Sequence, residues 1–280
     1  LMETSVSHQA YEASRLDDSE TKEILSKTYP YTILITEDDD EVRCFLEREL
    51  SLHFKIRTAA NGKEALRVLE EEEISLVVSD VMMPEMNGFE LCRTIKSQLP
   101  FSHIPVILLT ALTDERQRIF GITGGADDYI QKPFHTDYVK IKIIHLLQER
   151  QKLRERLLEK LRDNKLLLSE PEKVESIDDT FLRKFAEQIE AVYADPEYNV
   201  EKLSETLGLS RGHLHRKIKE LTGTAPVEFL RTYRLNKATQ LLRQNAYTVS
   251  EVAYRTGFSS PAYFSKCFKA VYGVTPTEYQ

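Results

Sequence analysis

The sequence predicts two domains of different class. The first is α/β, built on a five-stranded parallel sheet. The second is a separate all-α domain with two helix-turn-helix units. Three observations point there. Short apolar, β-branched runs alternate with helical patterns five times from Tyr31 onward, which asks for parallel strands with helices on both faces. A tract after Asn199 repeats itself at an offset of 49, then 50, residues, the mark of a duplicated supersecondary unit. The charge is also divided. The net is −7, yet Asn199 to Gln280 hold 12 Lys/Arg against 6 Asp/Glu, leaving 26 against 39 in the remainder. An acidic front with a basic rear directs the rear at polyanions.

At 280 residues the chain is long enough for two separate cores. Its three cysteines, Cys44, Cys92 and Cys267, are odd in number and lack CxxC spacing. They read as reduced thiols of a cytoplasmic protein, used in core packing. No apolar run reaches membrane-spanning length and no signal peptide is visible. The chain opens on Leu1 rather than Met, so a piece of a longer protein is expected.

Residues 1–29 are polar and aperiodic and read as a tail or linker end. Tyr31 to Thr36 is a strand ending at Glu37-Asp38-Asp39-Asp40. A helix follows through Leu50, with Val42, Phe45, Leu46 and Leu50 on one side. Phe54 to Thr58 is a second strand, and Asn61-Gly62 breaks the chain before a helix carrying Ala65, Leu66 and Leu69. Ile74 to Asp80 is a third strand, followed by a Pro84–Gly88 loop and a helix through Ile95. Ile104 to Leu109 is a fourth strand, ending at Thr110-Ala111. After Gly124-Gly125 comes a fifth, Asp127 to Gln131, ending at Lys132-Pro133-Phe134, and a last helix starts near Thr136.

Strand ends one, three, four and five thus bring Glu37/Asp38, Asp80, Thr110 and Lys132 to one rim, where open α/β sheets hold ligands. Three clustered carboxylates repel one another unless a cation lies among them. Hard oxygen donors suit Mg²⁺, which retains waters and accepts phosphate oxygens. An ammonium and a hydroxyl opposite would complete a phosphoryl site, with Asp80 as nucleophile. The competing picture is unrelated surface acids and a solvated lysine. Joint placement at four strand ends is against it.

Over about Tyr31 to Glu149 the chain resembles the receiver domain of two-component response regulators. The motifs ILITEDDDEVR, SDVMMPEMNGFELC, PVILLTA and GADDYIQKPF carry the resemblance. It implies a flavodoxin-like sheet, with Asp80 as phosphoacceptor. It implies Mg²⁺ held directly by Asp38, through water by Glu37, and by Asp80 and the carbonyl of Met82. It also implies Thr110 and Lys132 as switch hydroxyl and lysine, Tyr129 as switch aromatic, and a cis Lys132-Pro133 bond. Ordinary sheet packing is the other use of Tyr129.

Residues 136–168 read as one long helix, with Leu153, Leu157 and Leu161 four apart and Leu158 and Leu168 nearby. A dimerising helix and a solvated one are both open. Ser169-Glu170-Pro171 should end it.

Ile177 to Ala194 is amphipathic, with Phe181, Phe185, Ile189 and Val192 on one face. In the repeat, Leu203, Gly208 and Leu209 pair with Val252, Gly257 and Phe258. Then Ser210, Leu214, Arg216, Ile218, Lys219, Leu221, Gly223 and Pro226 pair with Ser260, Phe264, Lys266, Phe268, Lys269, Val271, Gly273 and Pro276. Each copy is helix, Gly-apolar turn, helix, then Gly and Pro. At about 100° per residue, Leu214, Ile218 and Leu221 point inward, as do Phe264, Phe268 and Val271. Gly212, Arg216 and Lys219, then Ala262, Lys266 and Lys269, point outward. A small residue with two cations suits a groove and its phosphates. His213 and His215 lack a third metal ligand and fit DNA or solvent better.

From about Asp178 to Gln280 the chain resembles the AraC/XylS family of DNA-binding domains. The motifs are LSETLGLSRGHLHRKIKELTGTAPVEFLRTYRL and VSEVAYRTGFSSPAYFSKCFKAVYGVTPTEY. The resemblance implies two second helices in successive major grooves, with Leu230 to Leu242 as the connecting helix. Its candidate contacts are Arg211, Gly212, His215, Arg216 and Lys219, then Ser260, Pro261, Ala262, Tyr263 and Lys266. Gly212 stands where some members carry a large side chain.

The expected organisation is a tail over 1–29, a receiver domain over 30–149, a linker helix over 150–176 and an AraC-type domain over 177–280. That order resembles the C-terminal half of hybrid two-component regulators, as in Bacteroides-type sugar-utilisation systems. No histidine is followed by Glu and no Gly-rich ATP-binding boxes appear, so the chain itself is not expected to be an enzyme. It would be a phosphorylation-switched transcription regulator that takes a phosphoryl group from a phospho-histidine kinase domain, in cis or in trans. It would bind double-stranded DNA, with an affinity changed by dimerisation on phosphorylation or by release of the rear domain. A receiver that only docks a partner on a constitutive DNA-binding protein is the alternative. A phosphatase acting through Asp80 is a further one, but no second acid/base carboxylate follows the nucleophile.

Overall fold

This computed structural model describes residues 26–111, 125–162 and 176–280. The chain divides into two compact units, Leu1–Gln151 and Lys152–Gln280.

Five strands form the sheet of the first unit: β1 (Thr32–Thr36), β2 (Lys55–Ala59), β3 (Leu76–Asp80), β4 (Val106–Thr110) and β5 (Asp128–Gln131). All pair in parallel, in the order β2-β1-β3-β4-β5. Helices α1 (Asp40–Ser51), α2 (Gly62–Glu71) and α3 (Gly88–Ser97) follow the first three strands, and α4 (Thr136–Arg162) follows β5. The helix that the alternation implies between β4 and β5 falls outside the described residues. The order is flavodoxin-like. It steps outward from β1 to β2 and then returns to β3, and this reversal opens a crevice at the carboxyl ends of β1 and β3.

Side-chain alternation along the strands builds two cores. Ile33, Ile35, Val78, Ile107, Leu109 and Ile130 face α1 and α4 through Leu46, Leu50, Val139 and Ile143. Leu34, Val77, Val106 and Leu108 face α2 and α3 through Ala65, Leu69, Leu91 and Ile95. β3 is buried along its whole length, which accounts for its unbroken apolar run.

Strand edges differ from the expected ones by one or two residues, each for a local reason. Phe54 N–H still donates to Leu50 O at the end of α1, so β2 starts at Lys55. Pro105 has no N–H to give, and β4 starts at Val106, whose own N–H is taken by the Asp127 carboxylate at 2.8 Å. Tyr29, assigned from sequence to the tail, donates to His53 O at 2.7 Å and stacks on Phe54. Phe45, expected inward, is 44% exposed. It lies one position off the stripe of Leu46 and Leu50, which are both wholly buried. Cys44 is likewise exposed rather than packed, while Cys92 and Cys267 are buried.

The second unit contains α5 (Ile177–Val192), α6 (Val200–Thr206), α7 (Arg211–Thr222), α8 (Pro226–Arg243), α9 (Val249–Arg255), α10 (Pro261–Tyr272) and α11 (Pro276–Tyr279). The helix pairs α6/α7 and α9/α10 are the two copies of the repeat. Their matched residues are mostly punctuation. Ser210 and Ser260 cap α7 and α10 at their N-termini. Gly223 and Gly273 end the same helices at φ 74° and 78°, a left-handed conformation that suits glycine. Pro226 and Pro276 open the next helices.

Phe181, Phe185, Ile189, Leu203, Leu214, Ile218 and Phe229 are all buried, with Phe185 and Phe229 ring centroids 4.8 Å apart. Around the second copy, Leu235, Ala238, Leu242, Val252, Phe258, Phe264 and Phe268 form one cluster. Val271, expected inward, is 51% exposed. Cys267, one turn earlier, is buried instead, and Tyr272 and Tyr279 cover Phe268. On α4, Leu153 is exposed. The side chains of Leu157, Leu158 and Leu161, together with Leu168 and the Ser169-Glu170-Pro171 stop, lie outside the described residues.

Candidate acidic site and helix-turn-helix faces

Asp80 is the last residue of β3 and is buried. The Lys132 ammonium approaches its Oδ1 to 2.7 Å, and Met82 N–H donates to Oδ2 at 3.0 Å. The same ammonium donates to Glu37 Oε2 at 2.8 Å. Glu37, Asp38 and Asp80 present carboxylate oxygens within 4.8 Å of one another. Glu37 and Asp80 are buried and Asp38 is exposed, so the notch opens to solvent on one side. Such an all-oxygen donor set suits a hard divalent cation.

The four acids after β1 have separate roles. Asp39 caps α1, accepting from the N–H groups of Glu41 and Val42. Asp40 pairs with Arg43. Only Glu37 and Asp38 remain for the notch. Arg43 donates to Glu37 O at 2.7 Å and so fixes the β1–α1 turn, a role that its sequence position does not announce. Gly88 has a comparable duty on the other side. A Cβ there would lie 2.2 Å from Asp80 O, so only glycine lets α3 begin against the Asp80 backbone.

Burial raises Glu37 above the usual carboxylate value, partly countered by its hydrogen bond to Lys132 and reinforced by the Asp80 charge. Burial also works against the Lys132 ammonium, but its hydrogen bonds to Asp80 and Glu37 outweigh that and hold it above the ordinary lysine value. The lysine therefore stays charged inside the notch and offsets two carboxylates.

Thr110 ends β4, one residue past Leu109, the register partner of Asp80. Its carbonyl accepts from Lys132 N–H at 2.7 Å, tying β4 to the lysine's own backbone. The Lys132-Pro133 bond is cis. Tyr129, opposite Leu108 on β5, packs half-buried on the α2/α3 side. Burial, then the Cys92 and Asp127 charges, push its phenol up to about 12. Met82 holds Asp80 through its backbone while its side chain is exposed.

In the second unit, Arg211, Gly212, His215 and Lys219 are exposed along α7, with Arg216 half-buried. Ala262, Tyr263 and Lys266 are exposed on α10, with Ser260 and Pro261 half-buried at its start. A Cβ on Gly212 would meet nothing within 4 Å, so the α7 face is open at that point. Arg211 pairs with Glu201 of α6 at 2.8 Å. Tyr263 is the main influence that holds the Arg231 guanidinium of α8 above its ordinary value. Sequence reasoning missed Lys217. It lies within the basic tract of α7 yet is wholly buried, 2.5 Å from Asp178 of α5.

No helix among the described residues is long and apolar enough to cross a membrane.

The family model described as a response regulator receiver domain matches residues 33–144, and that described as a helix-turn-helix domain matches residues 203–280. The chain is 38% identical over 265 residues to a protein from Formosa agariphila named Histidine kinase P4, covering 95% of this chain and 19% of that protein. It thus spans about a fifth of that relative's length. Among solved structures, the receiver domain of a signal transduction histidine kinase from Syntrophus aciditrophicus is 38% identical, covering 42% of this chain and 91% of that one, with a TM-score of 0.41. The C-terminal domain of the two-component response regulator yesN from Fusobacterium nucleatum is 32% identical, covering 36% and 97%, with a TM-score of 0.35. This chain therefore belongs to the response regulator receiver family over residues 33–144 and to the AraC-type helix-turn-helix family over residues 203–280.

Proposed function

We propose that the chain is a phosphorylation-controlled, sequence-specific DNA-binding regulator of transcription within a two-component phosphorelay. The observation that carries this is the convergence on one notch of the Asp80, Glu37 and Asp38 carboxylates and the Lys132 ammonium. Asp80 is the acceptor. One of its carboxylate oxygens attacks phosphorus, the bond from phosphorus to the donor histidine nitrogen breaks, and that nitrogen leaves with the electron pair. The product is an acyl phosphate on Asp80. A histidine kinase domain, in cis or in trans, is the donor. That fits the name of the Formosa relative, Histidine kinase P4.

Asp38, Glu37 through water, Asp80 and the Met82 carbonyl would hold Mg²⁺. When bound, the ion supplies positive charge against the phosphoryl oxygens. Lys132 gives up part of its contact with the Asp80 carboxylate and neutralises a phosphoryl oxygen. Met82 N–H keeps the Asp80 carboxylate aimed. Thr110 donates its hydroxyl to the phosphoryl group, and Tyr129 repacks on its side of the sheet as β4 shifts. Dimerisation then raises DNA affinity. Arg211, Gly212, His215, Arg216 and Lys219 of the first copy meet one groove. Ser260, Pro261, Ala262, Tyr263 and Lys266 of the second meet the next.

The test is incubation with acetyl phosphate and Mg²⁺ followed by intact mass. One phosphoryl group should add to the wild type and none to Asp80→Ala. Selection of bound DNA from a random pool, with and without that treatment, should then return one sequence, more tightly held by the phosphorylated chain. An unchanged mass, or identical selection from both samples, would leave only a docking receiver on a constitutive DNA-binding protein.

A further inference from the structure

The two copies of the repeat solve one packing position in opposite ways. Position 267 on α10 is a buried cysteine inside an apolar cluster. Its counterpart 50 residues earlier, Lys217 on α7, is a lysine with no solvent exposure at all. Its ammonium lies 2.5 Å from Asp178 Oδ1 and 5.1 Å from the centroid of Phe181. Both partners are on the first turns of α5, the helix that follows Ser176. A buried ion pair adds little stability compared with an apolar residue of similar size, but losing one partner is costly. An apolar side chain at 217 would have sufficed for packing, as Cys267 does in the second copy.

The consequence is an asymmetry between the two helix-turn-helix units. The seat of α7 depends on where α5 begins. A further grip comes from Arg154, on the part of α4 that belongs to the second unit. It donates to the carbonyl and the carboxylate of Glu220 near the end of α7, both at 3.0 Å. The second copy is anchored elsewhere. Arg234 of α8 donates to Tyr193 O and Asp195 O just past the end of α5. The Gly257 turn sits so close that a Cβ there would lie 2.1 Å from Tyr193 O. Thus the front of α5 holds the first copy through a wholly buried ammonium, while the residues at its back hold the second through backbone carbonyls and, by way of α8, the partly exposed Lys237–Glu190 pair at 2.8 Å.

We propose that Asp178 and Lys217 are positioning residues that make the first recognition helix, α7, conditional on the start of α5, while the second, α10, stays seated. A signal arriving along the chain ahead of Ser176 would then change how half of the DNA site is read. This rests on the DNA-binding function proposed above.

The test uses the full chain, the sequence it selects, and versions of that sequence with one half or the other scrambled. Asp178→Asn removes the carboxylate beside the buried ammonium. It should weaken binding to the intact site by about tenfold or more. The loss should vanish once the half read by α7 is scrambled. Lys217→Met needs no partner. It should bind the intact site within about threefold of wild type, with a reduced difference between samples treated and untreated with acetyl phosphate. Amide exchange, which needs no DNA, should rise on α7 and not on α10 in Asp178→Asn. Equal loss on both halves, a full phosphorylation response in Lys217→Met, or exchange rising on both helices together would overturn the assignment. Should Asp178→Asn fail to fold, Lys217→Met still decides through its phosphorylation response. A wild-type chain that selects no sequence would refute DNA reading itself, a result distinct from any of these.

Discussion

Asp80 and Lys132 were legible in the sequence because each sits at the end of an apolar run, and a parallel sheet gathers such ends on one rim. Arg43 and Lys217 were not legible. Arg43 looks like any charge on an exposed helix face, and only the folded turn shows it holding the Glu37 carbonyl. Lys217 reads as one more cation in a basic tract, and its burial depends on Asp178, 39 positions earlier. Phe45 and Val271 failed the other way, since helical periodicity marks a stripe but not where the core runs out. Gly88 yields a residue-scale prediction. The atom that an added methyl would meet is backbone, 2.2 Å away, and cannot rotate aside. Gly88→Ala should cost the first unit about 1–3 kcal/mol through overpacking, read as a lower thermal midpoint. It should also slow Asp80 phosphorylation.

The repeat was readable as elements because its matched residues are caps, and caps are local. Gly223 and Gly273 each sit at positive φ. Alanine at either position should cost about 1–2 kcal/mol for the left-handed backbone, measured by denaturant unfolding of the second unit. Replacing Gly212, which is helical and open, should cost far less. Two capping boxes add a pH dependence. Glu251 and Glu278 accept from the backbone N–H and then the hydroxyl of Thr248 and Thr275, which lowers each carboxyl below its ordinary 4.5. A lowered folded value means that this stability is present above 4.5 and is lost as pH falls through the lowered values. Melting of the second unit followed from neutral to acidic pH should show that loss, and Glu251→Gln with Glu278→Gln, which removes the titrating carboxyls themselves, should flatten it. The strand edges, by contrast, were off by a residue or two. They depend on which neighbour takes each N–H, and Pro105 and Leu50 settle that only in the fold.

At the scale of the whole molecule, the charge division was the plainest signal, and it makes the plainest prediction. Binding by the basic rear domain should weaken steeply with added salt, because each cation that meets a phosphate releases counterions. Arg216→Ala or Lys266→Ala should cost roughly 1–3 kcal/mol if that side chain contacts a base, and should instead shallow the salt slope if it meets a phosphate. A gel-shift titration across salt concentrations separates the two. The organisation into two units was likewise open to reading, because hydrophobic period and charge both change along the chain. How each unit's interior is tied together was not, since it rests on contacts such as Arg234 to Tyr193, 41 positions apart. The two copies also share a design without sharing a face: glycine, arginine and lysine on one outer surface, alanine and two lysines on the other. A reader with unlike halves gives its target a polarity. Turned end for end, the same base pairs would offer each helix its neighbour's half, so orientation relative to the gene becomes part of the message.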